Sequence, residues 1–197
     1  MMHFRQRTIS KPVSFSGIGV HSGKKTDLTD KPSVSAHFNM VVDTSLATVI
    51  GYDGFIVSTI EHLMASFAGF SIDNAIVELD AYELPIMDGS AGPFISYIKT
   101  AGIEEQSGPK YFFIVKEPIE LEEYGKFVGI YPASKFKITC TIYYDHPLIK
   151  EQSYSIDVSD QVFEKEICRA RTFGFLQEIE YLKKYGFARG GSLDNVI

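Results

Sequence analysis

Apolar residues at Ile60, Leu63, Met64, Phe67 and Ala68 recur at i, i+3, i+4, i+7 and i+8, which predicts a core-facing helix. Gly69 stands where a C-terminal stop belongs. Three further helices follow from the same period: Pro93 to Ala101 with Phe94, Tyr97 and Ile98 on one face, Ser159 to Arg169 with Val162, Phe163 and Ile167 inward, and Leu176 to Tyr185 ended by Gly186. Strands are predicted at Val13 to Phe15, Ala75 to Leu79, Tyr111 to Lys116, Lys126 to Tyr131, Lys135 to Tyr144 and Ser153 to Asp157. Thr44 to Ile50 and Gly54 to Val57 form a hairpin around the turn dipeptide Asp53-Gly54. The segment Glu104 to Pro109 breaks the pattern and reads as a linker. Strands and helices recur on both sides of it, so the expected architecture is α+β: two similar domains, each a mainly antiparallel sheet layered against helices, over 1–106 and 110–197. No residue-level repeat relates the halves. The final run, Ser192 to Ile197, reads as the opening of an apolar strand, so Ile197 is not expected to be the natural terminus.

Composition narrows the function classes. The 197 residues are 45% hydrophobic, 22% charged and 13% aromatic, a globular balance that excludes disordered and collagenous chains. A net charge of -6 leaves no basic stripe for a nucleic acid. Charges break every apolar stretch before the ~20 residues a membrane span needs, and the N-terminus has no signal-type apolar region, so a cytoplasmic protein that is not an integral membrane protein is expected. Cys140 and Cys168 have no metal-ligand spacing and are read as buried free thiols. Gly17, Gly19 and Gly23 punctuate one loop, but no Gly-Lys-Ser/Thr follows and a turn is the better reading.

The sharpest chemical feature is Ser58-Thr-Ile-Glu-His62, a carboxylate beside an imidazole at a helix N-terminus. Helix chemistry alone favours a capping box, with Glu61 reaching back from three residues after Ser58. His62 lies roughly 200° around the helix from Ile60, off the apolar stripe, where a ligand or active-site role fits.

Six segments together resemble the UDP-3-O-acyl-N-acetylglucosamine deacetylases, the zinc enzymes that commit a precursor to lipid A synthesis. They are Gly17-Ile-Gly-Val-His21-Ser-Gly-Lys24, Ser58-Thr-Ile-Glu-His62, Glu83-Leu-Pro-Ile-Met-Asp-Gly-Ser-Ala91, Asp145-His146-Pro147, Arg169-Ala-Arg-Thr-Phe-Gly-Phe175 and Gly190-Gly-Ser-Leu-Asp194. The resemblance implies Zn2+ as cofactor, an acylated UDP-sugar as small-molecule substrate, Glu61 as general base and His62 as a zinc ligand. It implies Thr172 as the hydroxyl donor to a tetrahedral oxyanion, and a contact between Tyr144 and the uridine diphosphate. Phe173, Phe175, Ile179, Ala188, Gly191, Ser192 and Val196 match the family's acyl-chain tunnel. Read without the resemblance, Thr172 is a polar residue between helices, the tunnel residues are core and Tyr144 is structural. His21 and Asp88 receive no chemical role, and Asp88 is expected in a turn.

Two departures from the family pattern stand out. A His-Lys-x-x-Asp ligand segment and a later general-acid His are not in the sequence, so an incomplete active site is expected, with one zinc ligand of three. Between Lys25 and Thr26 the sequence lacks the family's longer stretch, and residues are expected to be missing there. The competing readings are a metal-free binding module for acyl-sugar nucleotides on the same fold, and a metal-independent Glu-His hydrolase. The latter lacks a motif-placed nucleophile.

Overall fold

The computed structural model describes residues 3–20, 32–186 and 189–196. Strand β1 (Arg5–Ile9) is followed by a 3₁₀ turn at Phe38–Met40 and the strands β2 (Val41–Asp43), β3 (Val49–Tyr52) and β4 (Phe55–Val57). Helices α1 (Glu61–Gly69) and α2 (Gly92–Ala101) come next, then strand β5 (Ile103–Pro109). Two hairpins follow: β6 (Ile119–Glu123) with β7 (Lys126–Ile130), and β8 (Lys137–Tyr144) with β9 (Lys150–Asp157). The short helix α3 (Asp160–Val162) runs on as a π-helical turn at Phe163–Ile167, and α4 (Leu176–Lys184) is the last helix described. Among the described residues these strands pair antiparallel throughout, with one isolated parallel bridge between Ser58 and Glu83, and the fold is α+β.

The hairpin of β3 and β4 turns on Asp53 (φ 50) and Gly54 (φ 79), the doubly left-handed pair that matches the twist of flanking strands. Ile50, Val57, Ile60, Leu63, Leu84 and Phe94 form one apolar cluster beneath it. A second cluster joins α1 and α2 to the later chain through Phe70, Ile72, Ala91, Ile95, Ile98, Phe163 and Cys168. Phe94 is only 1% exposed, and burial of such a side chain contributes about 1.5–3 kcal/mol. Gly69 is part of helix α1 rather than a stop after it. A Cβ there would lie 2.3 Å from the Phe163 ring, so the glycine is where α1 admits its neighbour.

Several expected elements differ. Glu104 to Pro109 is not an open connection: it lies in β5 and pairs with β1, through Thr8 with Glu104 and Arg7 with Glu105. Residues 13–15, 75–79 and 111–116 are irregular, not strands. Phe15 is held by side-chain packing instead, its ring 5.4 Å from Phe94 and 5.2 Å from Tyr97. Residues 193–195 make a turn, closed by the Asn195 side chain, which accepts from the Ser192 N–H at 2.8 Å and donates to the Gly190 carbonyl at 3.0 Å. Cys168 is buried as expected, but Cys140 is exposed, as are Ile138 on the same face of β8 and Phe136 just before the strand. Among the described residues no helix is long and apolar enough to cross a membrane. His21, the junction of Lys25 and Thr26, Ala188 and Ile197 lie outside the described residues.

Candidate active site

Helix α1 begins directly at Glu61, behind Ile60, and no side chain caps it. The capping box therefore does not form. The Ser58 hydroxyl sits 3.2 Å from the Thr59 hydroxyl, and the Glu61 carboxylate instead accepts from the Thr48 backbone N–H at 3.1 Å. Free of the capping geometry, Glu61 and the adjacent His62 both line a cleft of about 220 Å³. Burial pushes the His62 imidazole below its ordinary pKa, against the opposing charges of Glu61 and Asp88. The helix is fixed beneath them by Ser66, fully buried, whose hydroxyl donates to the His62 carbonyl at 2.8 Å and to the Ala91 carbonyl at 3.2 Å.

Another part of the lining comes from chain more than a hundred residues away. Thr172 lines the same cleft and is anchored through its backbone N–H to the Gly89 carbonyl at 2.8 Å. That anchor belongs to a tight turn in which Asp88 accepts from the Ser90 N–H at 3.0 Å and from its hydroxyl at 2.7 Å, so Asp88 is the expected turn residue. Arg171 ties the turn to the last described segment, donating to the Asp88 carbonyl at 2.6 Å and the Leu193 carbonyl at 3.1 Å. Gly89, at φ +84, is required there: a Cβ would meet the Asn195 carbonyl oxygen at 2.0 Å.

Of the other expected residues, Phe173, Ile179, Gly191 and Val196 line the cleft with Glu61, His62 and Thr172. Phe175 does not. Its ring packs 5.7 Å from Tyr144, 5.5 Å from His146 and 6.1 Å from Phe173, in an aromatic cluster beside the cleft, where Tyr144 also lies 5.4 Å from Phe173. Ser192 is exposed at the closing turn, its hydroxyl accepting from the Asp194 N–H at 3.2 Å. The sequence reading missed Val20, Leu46, Ala47, Ile86 and Leu182, which supply most of the remaining apolar lining, and Glu178. Leu46 and Ala47 fall within the strand expected over Thr44 to Ile50, but β3 begins only at Val49, and residues 44–48 form the connection from β2 that brings these two side chains to the cleft.

A catalytic zinc takes three protein ligands. Among the described residues no group of three His, Cys, Asp or Glu side chains is placed to hold a metal ion, so they supply one suitable imidazole and do not complete such a site. The arrangement does combine a carboxylate, an imidazole and a hydroxyl on one cleft with a mainly apolar wall, the layout expected for acid–base chemistry on a substrate with an apolar part.

A family model described as UDP-3-O-acyl N-acetylglycosamine deacetylase matches residues 6–197. Proteins named UDP-3-O-acyl-N-acetylglucosamine deacetylase are similar over nearly the whole chain. The one from Myxococcus xanthus is 46% identical, covering 98% of this chain and 68% of its own length. That from Syntrophus aciditrophicus is 44% identical, covering 100% and 68%, and that from Chromohalobacter salexigens is 44% identical, covering 98% and 70%. The chain belongs to the UDP-3-O-acyl-N-acetylglucosamine deacetylase family.

Proposed function

We propose that this protein catalyses zinc-dependent hydrolytic deacetylation of UDP-3-O-acyl-N-acetylglucosamine in the cytoplasm, the committed step of lipid A biosynthesis. The observation that carries the proposal is the convergence of Glu61, His62 and Thr172 on one cleft whose remaining wall is mainly apolar. Membership of the deacetylase family supports the same reading.

The Glu61 carboxylate takes the proton of the attacking water as the water oxygen adds to the acetyl carbonyl. The Thr48 N–H contact holds that carboxylate in place before the proton arrives. Charge then develops on the carbonyl oxygen, where the Thr172 hydroxyl, fixed through its own backbone to Gly89, donates a hydrogen bond. Collapse breaks the C–N bond as the proton held on Glu61 passes to the leaving nitrogen, and yields acetate and the free amine of the sugar. Phe173, Ile179, Gly191 and, from outside the described residues, Ala188 are proposed to hold the acyl chain. Tyr144 is proposed to contact the uridine diphosphate, and Phe175, packed against it, and Ser192, beside Gly191, to extend the acyl-chain site. His62 supplies one imidazole to the zinc, and the remaining ligands come from residues other than those described. Zinc, when bound, adds Lewis-acid polarisation to this site.

The test is acetate release from UDP-3-O-acyl-N-acetylglucosamine by the complete gene product, before and after chelation and zinc return. Activity lost on chelation and restored by zinc is expected. A folded protein that binds the acylated nucleotide sugar with no acetate released would favour the binding module instead.

A further inference from the structure

Thr59 stands two residues before Glu61 with φ +61. A β-branched residue in the left-handed region is an outlier, and it persists only where its surroundings hold it there. The surroundings do so from several sides. The Thr59 side chain is buried and its hydroxyl donates to Glu83 Oε1 at 3.2 Å, Glu83 being buried as well. The backbone on either side is pinned by a parallel bridge between Ser58 and Glu83, in which the Ser58 N–H donates to the Tyr82 carbonyl at 2.8 Å and the Leu84 N–H to the Ser58 carbonyl at 3.0 Å. Immediately afterwards the Ile60 N–H donates to the Thr48 carbonyl at 3.4 Å, and the Thr48 N–H donates to the Glu61 carboxylate. Thr59 itself lines the cleft that holds Glu61 and His62.

This sequence of contacts sets the direction in which the chain leaves β4 and enters α1. Were Thr59 to relax to an ordinary negative φ, Ile60 and Glu61 would turn away from Thr48, and the carboxylate would leave its place on the cleft wall. We infer that the buried Thr59–Glu83 hydrogen bond is a positioning device for Glu61, holding a strained turn that aims the carboxylate. The inference rests on the proposed role of Glu61 as base. Thr59 acts through Glu61 and is a positioning residue, not a catalytic one.

The experiment is a double-mutant cycle in the complete, zinc-supplied enzyme acting on UDP-3-O-acyl-N-acetylglucosamine. Thr59→Val keeps the β-branched shape, and with it the strain of φ +61, while dropping the donor. It should lower kcat about tenfold or more, since small misplacements of a reacting group are costly, with KM within about twofold and zinc content unchanged. Thr59→Gly, which adopts φ +61 without strain, is measured beside it and should keep kcat near the wild-type value. Thr59→Ser, which keeps the hydroxyl, should retain kcat. In the Glu61→Ala background, Thr59→Val should cause no further loss. Wild-type kcat in a folded Thr59→Val enzyme would overturn the positioning role, as would an equal loss in Thr59→Gly or a full additional loss in the Glu61→Ala background. Wild-type kcat in Glu61→Ala alone would instead overturn the base assignment on which this inference stands.

Discussion

Thr172 shows how little a single residue announces of its role. By sequence it is a polar residue between two helices, and only the resemblance to a family gave it chemistry. In the fold its backbone is bound to Gly89 and its side chain reaches the cleft with Glu61, a proximity created by chain separated by more than a hundred positions. Glu61 illustrates the converse. Its spacing from Ser58 matches a capping box, yet the carboxylate is taken by the Thr48 N–H, because the helix starts at Glu61 itself and leaves no first turn for it to cap. If Thr172 is the oxyanion donor, Thr172→Val should lower kcat by about 10²–10³ with an unaltered melting temperature, while Thr172→Ser should retain most of the rate. Steady-state kinetics alongside thermal unfolding separates this from a packing role, which would lower stability and leave kcat in place.

At the scale of elements, helices were legible and irregular segments were not. The 3.6-residue period of Ile60 to Ala68 located α1, and Asp53-Gly54 located its preceding hairpin, because both signals are local. The strands expected at 13–15, 75–79 and 111–116 rest on short apolar runs, which tertiary packing can satisfy without a ladder. Phe15 does this by packing on the apolar cluster around Phe94 and against the Tyr97 ring. Glu104 to Pro109, polar and broken in pattern, becomes a strand because β1 offers it a partner from the other end of the unit. Gly69 was read as punctuation and is instead a packing position. Gly69→Ala should therefore destabilise the protein by about 1–2 kcal/mol in denaturant unfolding, despite the higher helix propensity of alanine, since the buried Phe163 ring must move. An equal or greater stability would show that the ring yields without cost.

At the scale of the molecule, β1 and α3 are joined by charge. Arg7 donates to Asp160 at 2.8 Å, His3 lies 3.4 Å from the same carboxylate and Ser71 donates to its other oxygen at 3.3 Å. Burial pushes the Asp160 pKa up, but the Arg7 hydrogen bond and charge, with His3 and Ser71, outweigh it and hold the group below its ordinary value. A carboxylate depressed in the folded state contributes stability above its unfolded pKa, near 4, and loses it as pH falls through the folded value. Asp160→Asn should cost about 1–2 kcal/mol at pH 7, and the gap to wild type should close as pH drops below about 4. Urea unfolding across that range measures it, and a gap independent of pH would remove the ionic contribution.

The central claim concerns the pair at the start of α1, where Glu61 is assigned the proton transfer and His62 the metal. The most direct measurement is kcat together with bound zinc in the complete enzyme carrying either Glu61→Ala or His62→Ala. Glu61→Ala should keep its zinc and its fold while losing about 10²–10⁴ in rate, the usual contribution of a placed general base. His62→Ala should lose both zinc and activity. A folded Glu61→Ala enzyme that deacetylates at the wild-type rate, or a His62→Ala enzyme that retains full zinc and turnover, would contradict the account.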